Sequence, residues 1–199
     1  MRLNFKRTII LSLLLCISLL ATGCSANWIS VALEDLPVLT QMALNIGSLA
    51  TTLQSGQQLT PAEAAAIQNI SAQASKDLNL VQTLYTEYKQ NPNTATIQKI
   101  QAAITDINQN LPALLQAAHI GNAALSAKIS AAVNLILTTV DSFALLIPAN
   151  VSQSAVQASV QKSALPHAAD LKKQWNQQIC GSNPSLPNGS VVAACGVKE

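Results

Sequence analysis

Apolar residues recur at spacings of three and four along most of the chain, and four long runs of this kind predict four amphipathic helices. The first is expected from near Asp35, with Pro37 in its first turn and Leu39, Met42, Ile46, Leu49 and Leu53 as its stripe, up to Gly56. The second opens on Thr60-Pro61-Ala62-Glu63, a capping box with Pro at the first helical position. Ile67, Ile70, Ala74, Val81, Leu84 and Tyr88 line its face, widened by Leu78 and Tyr85, until Asn91-Pro92-Asn93 breaks it. The third runs from Thr94 through Ile97, Ile100, Ile104, Ile107, Leu111, Leu114 and Ala118, with Gly121 as its stop. Pro112 lies inside that pattern and removes a hydrogen bond to the Asn108 carbonyl, so a kink or interruption is expected there. The fourth spans about Asn122 to Leu146, on Ile129, Val133, Ile136, Val140, Phe143 and Ile147, and Pro148 ends it. Leu125, Leu135, Leu137, Leu145 and Leu146 spread apolar surface around this helix, which predicts the most buried one.

The last third is less periodic. A helix of small residues is expected over Ser152 to Ala164. A final one is expected from Pro166 to Ile179, with Ala168, Leu171, Trp175 and Ile179 on one face, before Gly181. Short connections favour antiparallel neighbours. The expected fold is therefore all-α: an up-down bundle of four long helices, two shorter C-terminal helices and a disulfide-closed tail. No motif recurs at a fixed period, so a solenoid is not indicated.

The start of the chain follows a different pattern. Arg2, Lys6 and Arg7 precede thirteen apolar-rich residues, Thr8 to Leu20, and then Ala21-Thr22-Gly23-Cys24. Thirteen residues fall short of the roughly 20 that cross a bilayer and fit a secretory leader. The segment resembles a bacterial lipoprotein signal with its lipobox, Ala21 standing where that family usually has Leu. The resemblance covers only the leader. It implies lipidation of the Cys24 thiol, cleavage before Cys24 and acylation of the new amino terminus. Ser25 follows, where an Asp would indicate inner-membrane retention, so in a diderm bacterium the resemblance points to the outer membrane. An ordinary cleaved signal followed by a coincidental Cys is the alternative. The expected divisions are a leader over 1–23, a tether over 24–34 and one helical domain over 35–199. The tether, Ser25 to Glu34, spans at most about 35 Å. Its Trp28 can rest at the headgroup interface or cap the first helix pair.

Removing the leader changes the composition. Eight of the eleven basic residues remain, all Lys, against nine acids, a formal charge of −1. A chain without Arg is poorly suited to nucleic acid or phosphate recognition. Cys16 leaves with the leader, and Cys180 and Cys195 remain as a pair in an oxidising compartment, for which a disulfide is the simplest reading. It would close a loop rich in Pro, Gly and Ser and contribute roughly 3 kcal/mol. A metal site at these cysteines would need further ligands, and no His lies near either in sequence.

Candidate catalytic chemistry is sparse. His119 ends the third helix and His167 begins the last, with Asp170 three residues on. No nucleophile motif, di-iron Glu-x-x-His pair, His-Glu-x-x-His or glycine-rich phosphate loop accompanies them. Asp141, between Leu137 and Leu145, is either a buried acid that fixes packing or a residue at the edge of the face. Asp77 reads as a solvated or locally paired acid. Tyr85, Tyr88 and Trp175 read as core rather than as a sugar platform. The expectation is a non-enzymatic lipoprotein without metal or cofactor, held at the membrane through Cys24, with a structural or protein-interaction role and an envelope protein as partner. The alternative is a bundle that carries a small apolar ligand or lipid.

Overall fold

The computed structural model describes residues 27–55, 59–147 and 167–180. The leader, Cys24, the helix expected over Ser152 to Ala164, and Cys195 with the loop before it lie outside the described residues. Among the described residues the fold is helical throughout. It comprises α1 (Asn27–Ser55), α2 (Pro61–Gln90), α3 (Thr94–Ala117), α4 (Ala123–Leu146) and α5 (Ala168–Trp175), the last continuing into a single π-helical turn, Asn176–Cys180.

The four predicted long helices are present. α2 begins on the expected capping box. The Thr60 N–H donates to Glu63 Oε2 at 2.9 Å, and the Glu63 N–H donates to Thr60 Oγ1 at 3.3 Å. Asn93 and Asn122 cap α3 and α4 by accepting from the Thr96 and Leu125 N–H groups at 2.8 and 3.1 Å. Each cap satisfies an amide that the first turn leaves without a helical partner.

Three expectations change. First, α1 is already helical at Asn27, eight residues before Asp35, so residues 27–34 belong to the helix. Ile29, Ala32, Leu36 and Leu39 continue the apolar stripe backwards at spacings of three and four, and all four are buried. Pro37 thus sits inside a helix. It faces solvent, so the bond it removes lies on the outer side of α1. Second, α3 is not interrupted at Pro112, and it ends at Ala117, before Gly121. The left-handed residue after it is His119, at φ 44°, not Gly121. Histidine tolerates this region better than most side chains, and its Nδ1 lies 2.8 Å from the Ala117 carbonyl. Third, α4 is not enclosed on all sides. Leu145 is 69% exposed, and Asn134, Thr138 and Asp141 also face outward. α4 is long and apolar enough to cross a membrane by length and composition, yet half of its most apolar stretch is buried within the protein.

α1 and α2 run antiparallel in close contact. Ser71 Oγ on α2 donates to the Ala43 carbonyl on α1 at 2.7 Å, and Gln68 reaches Thr51 one turn further along. Gly47 faces Ser71 so closely that an added Cβ would lie 2.8 Å from its Oγ. α2 packs on α3, α3 on α4, and α4 back on α1. The buried face of each helix contributes to one continuous core. α5 packs on α1 and the π turn on α4, adding Leu171, Trp175, Ile179 and Cys180 to that core.

Candidate functional site

The chemistry-bearing side chains converge most closely where α5 meets α1. Asp35 is on the core side of α1, 1% exposed. Its carboxylate accepts from the Ala168 N–H, the first helical residue of α5, and lies near His167, which precedes it. Asp35 thereby serves as the cap of α5. His167 holds the N-cap position but makes no side-chain cap bond. Asp35 Oδ2 is buried without a hydrogen-bond partner. Burial, with the adjacent Glu34 charge, pushes the Asp35 carboxyl up to about 6; His167 and the Ala168 N–H oppose the rise.

In the sequence Asp35 marks an expected helix start and carries no other role. The signal available was its position within the stripe Ala32, Leu36, Leu39, which puts an acid on an apolar face once the helix is extended backwards.

The expected His167–Asp170 pair begins α5, and both residues are exposed. Asp35 is closed off beneath them, so this junction presents an imidazole at the surface and a carboxyl that substrate cannot reach. That arrangement suits packing better than proton transfer to a bound molecule. His119 stands at the other end of the four long helices, after α3.

The remaining candidates fall on the bland side of their alternatives. Asp141 is exposed at the edge of α4, where its carboxylate accepts from Asn108 Nδ2 on α3. Asp77 accepts from Gln73 Nε2 one turn away. Tyr85 is buried edge-to-face against Phe143, with ring centroids 6.5 Å apart, and burial raises its phenol well above the ordinary range. Tyr88 and Trp175 are also buried. Glu63 has a second role that its motif does not announce: Oε1 accepts from the Gly121 N–H at 2.7 Å, tying the α3–α4 turn to the start of α2. At the opposite corner, Thr96 Oγ1 donates to Glu87 Oε1 at 2.9 Å and Lys99 lies 3.8 Å from the same oxygen.

A surface depression of ≈ 490 Å³ runs along the outer side of α2, lined by Asn79, Gln82, Thr83, Thr86, Glu87 and Gln90. Its lining side chains are amides, hydroxyls and one carboxylate. Among the described residues no group of His, Cys, Asp and Glu is arranged to hold a metal ion. Cys180 is buried at the end of the π turn. Comparison with protein-family models, with curated proteins and with solved structures finds no match to this chain.

Proposed function

We propose that this chain is a lipid-anchored protein of the bacterial cell envelope, without enzymatic activity, whose helical body acts as a structural or protein-interaction module. The observation that carries this reading is the lipobox-like Ala21-Thr22-Gly23-Cys24. The fold adds a geometric argument. α1 is already helical at Asn27, three residues after Cys24 in the chain. The links between them span about 10 Å at most. A diacyl anchor on Cys24, stable through the burial of its methylenes, would hold the base of α1 against the bilayer. In a diderm bacterium the location is the outer membrane.

The proposed architecture is an up-down arrangement of α1 to α4, with the C-terminal segment docked across α1 and α4. Its support is the antiparallel α1–α2 pair and the packing of α4 back on α1. A Cys180–Cys195 disulfide is proposed to close the tail. Cys180 is buried and carries no free thiol, which favours that pairing.

The interaction reading is preferred to the carrier because the aromatic side chains described pack inward and the α2 depression is polar. Among the described residues the outer surface rests largely on amides and hydroxyls, with Leu44, Leu80 and Leu145 as exposed large apolar side chains. Such a surface suits contact with another protein more than with nucleic acid or a charged ligand. The test is crosslinking in native membranes, followed by identification of what copurifies. A discrete envelope protein is the expected result. A stoichiometric lipid or other apolar ligand with no protein would replace the interaction role with the carrier.

A further inference from the structure

Three contacts fix which turns share an end of the fold with Asn27. Gly47 on α1 lies against Ser71 on α2, and the two helices run antiparallel. Counted from that contact, Gly47 to Asn27 and Ser71 to Gln90 are runs of nearly equal length, so at about 1.5 Å per residue Gln90 ends level with Asn27. Glu63 on α2 accepts from the Gly121 N–H before α4, and the Tyr85 hydroxyl on α2 donates to the Phe143 carbonyl on α4. Both pairs are offset by the same 58 residues, so α4 runs in the direction of α2 and Leu145 stands level with Glu87.

The end so defined carries no charged residue from Asn91 to Gln98 or from Ser142 to Ile147. Pro92, Ala95 and Leu145 are exposed on it. The polar groups of the α2–α3 turn are bonded to one another. Asn93 Nδ2 donates to the Asn91 carbonyl, and Asn93 Oδ1 accepts from the Thr96 N–H, each at 2.8 Å. Glu87, behind the turn, is met by Thr96 and Lys99. Moving such a surface out of bulk water strands no unpaired charge. Lys89, exposed in the last turn of α2, can lay its stem along the surface and keep its ammonium among lipid phosphates. The opposite end carries Glu63 and His119 instead.

We propose that the α2–α3 turn and the last turn of α4 are seated in the headgroup layer of the bilayer that holds the anchor, so that the fold stands on this end instead of swinging free on its tether. This seating rests on the reading of Cys24 as a lipid anchor. Asn27 lies within about 10 Å of Cys24, and one headgroup layer is about 5–8 Å deep. The α2–α3 turn continues past Gln90, beyond the level of Asn27, which brings it to that layer. Leu145 stands only about 5 Å behind Gln90 along the helices.

The test uses the full acylated chain, purified in detergent without reductant and reconstituted into vesicles of phosphatidylethanolamine and phosphatidylglycerol. Ala95→Cys, Leu145→Cys and, at the opposite end, Ala124→Cys are each labelled with the environment-sensitive fluorophore NBD, and the parent chain is labelled in parallel as background. All three positions are exposed, and circular dichroism checks that each variant keeps the parent helicity. Acylation of Cys24 is read by mass spectrometry on the same samples. NBD at 95 and at 145 should emit at shorter wavelength than at 124 and lose intensity when lipid with a nitroxide headgroup is included, with no loss at 124. Water-like emission at 95 or 145 on an acylated chain overturns the seating and leaves the anchor standing. Equal quenching at all three positions describes a body lying along the bilayer and also overturns it. An unacylated chain removes the anchor and the seating together.

Discussion

Replacing Gly47 with Ala tests the closest helix contact in the fold. In an ordinary helix interior the change stabilises by about 1 kcal/mol. Here the new Cβ would lie 2.8 Å from Ser71 Oγ and 3.2 Å from Ser71 Cβ. The Oγ cannot swing aside freely, because it is buried and donates to the Ala43 carbonyl at 2.7 Å. Breaking that bond and stranding the hydroxyl costs about 1–3 kcal/mol. Forcing the two helices apart costs a further 1–3 kcal/mol or so. Set against the propensity gain, Gly47→Ala should destabilise by roughly 1–5 kcal/mol, read from urea denaturation followed by circular dichroism. Ser71→Ala alone should cost only about 1 kcal/mol, since the Ala43 carbonyl lies in a helix interior and keeps its helical acceptor role. The double variant should recover part of the loss, because the hydroxyl clash is gone while the 3.2 Å Cβ contact remains. A coupling of about 1 kcal/mol or more is expected. A Gly47→Ala variant as stable as the parent, or strict additivity, would refute the close-approach reasoning.

Three other outcomes follow from named residues. Asp35→Asn should raise global stability at pH 7.5. The folded carboxyl, near 6, binds protons more tightly than an unfolded one at 3.8, so ionisation works against folding by about 3 kcal/mol at most. The gain should vanish by about pH 4, and denaturant melts at both pH values check it. Thr60→Ala should lower stability by about 1 kcal/mol through loss of the α2 cap, measured in the same melts. Pro112→Ala should raise stability by about 1–3 kcal/mol, since α3 continues through this position and regains the bond to the Asn108 carbonyl; an unchanged denaturation midpoint would contradict it.

Much of the fold is legible because its helices carry their own boundaries. Thr60, Pro61 and Glu63 mark the start of α2 without reference to anything distant, and Ile97 to Leu111 declare the buried face of α3 by spacing alone. The start of α1 is less legible because Glu34, Asp35 and Pro37 together resemble a helix N-terminus. The stripe through Ile29 and Ala32 continues behind them only at low density. Asp35 is the clearest case of information held outside its own segment. An acid among Ala32, Leu36 and Leu39 has no local explanation; its partner is the Ala168 N–H, more than a hundred residues away. His119 marks the end of the third helix in the sequence, and its backbone takes the left-handed turn position that a glycine would ordinarily fill. On α4, the count of Leu residues suggested enclosure. Asn134, Thr138 and Asp141 recur on one side and keep that side, with Leu145, at the surface.

The central claim is the lipid anchor at Cys24, and labelling tests it most directly. The chain and its Cys24→Ser variant are expressed in a bacterium supplied with labelled palmitate, and membranes are separated from soluble fractions. The account predicts label on the parent chain, a mature amino terminus at Cys24 bearing acyl groups by mass spectrometry, and a Cys24→Ser variant that carries no label and leaves the membrane. An unlabelled parent with an unmodified Cys24, or a variant that still partitions into membranes, would contradict it.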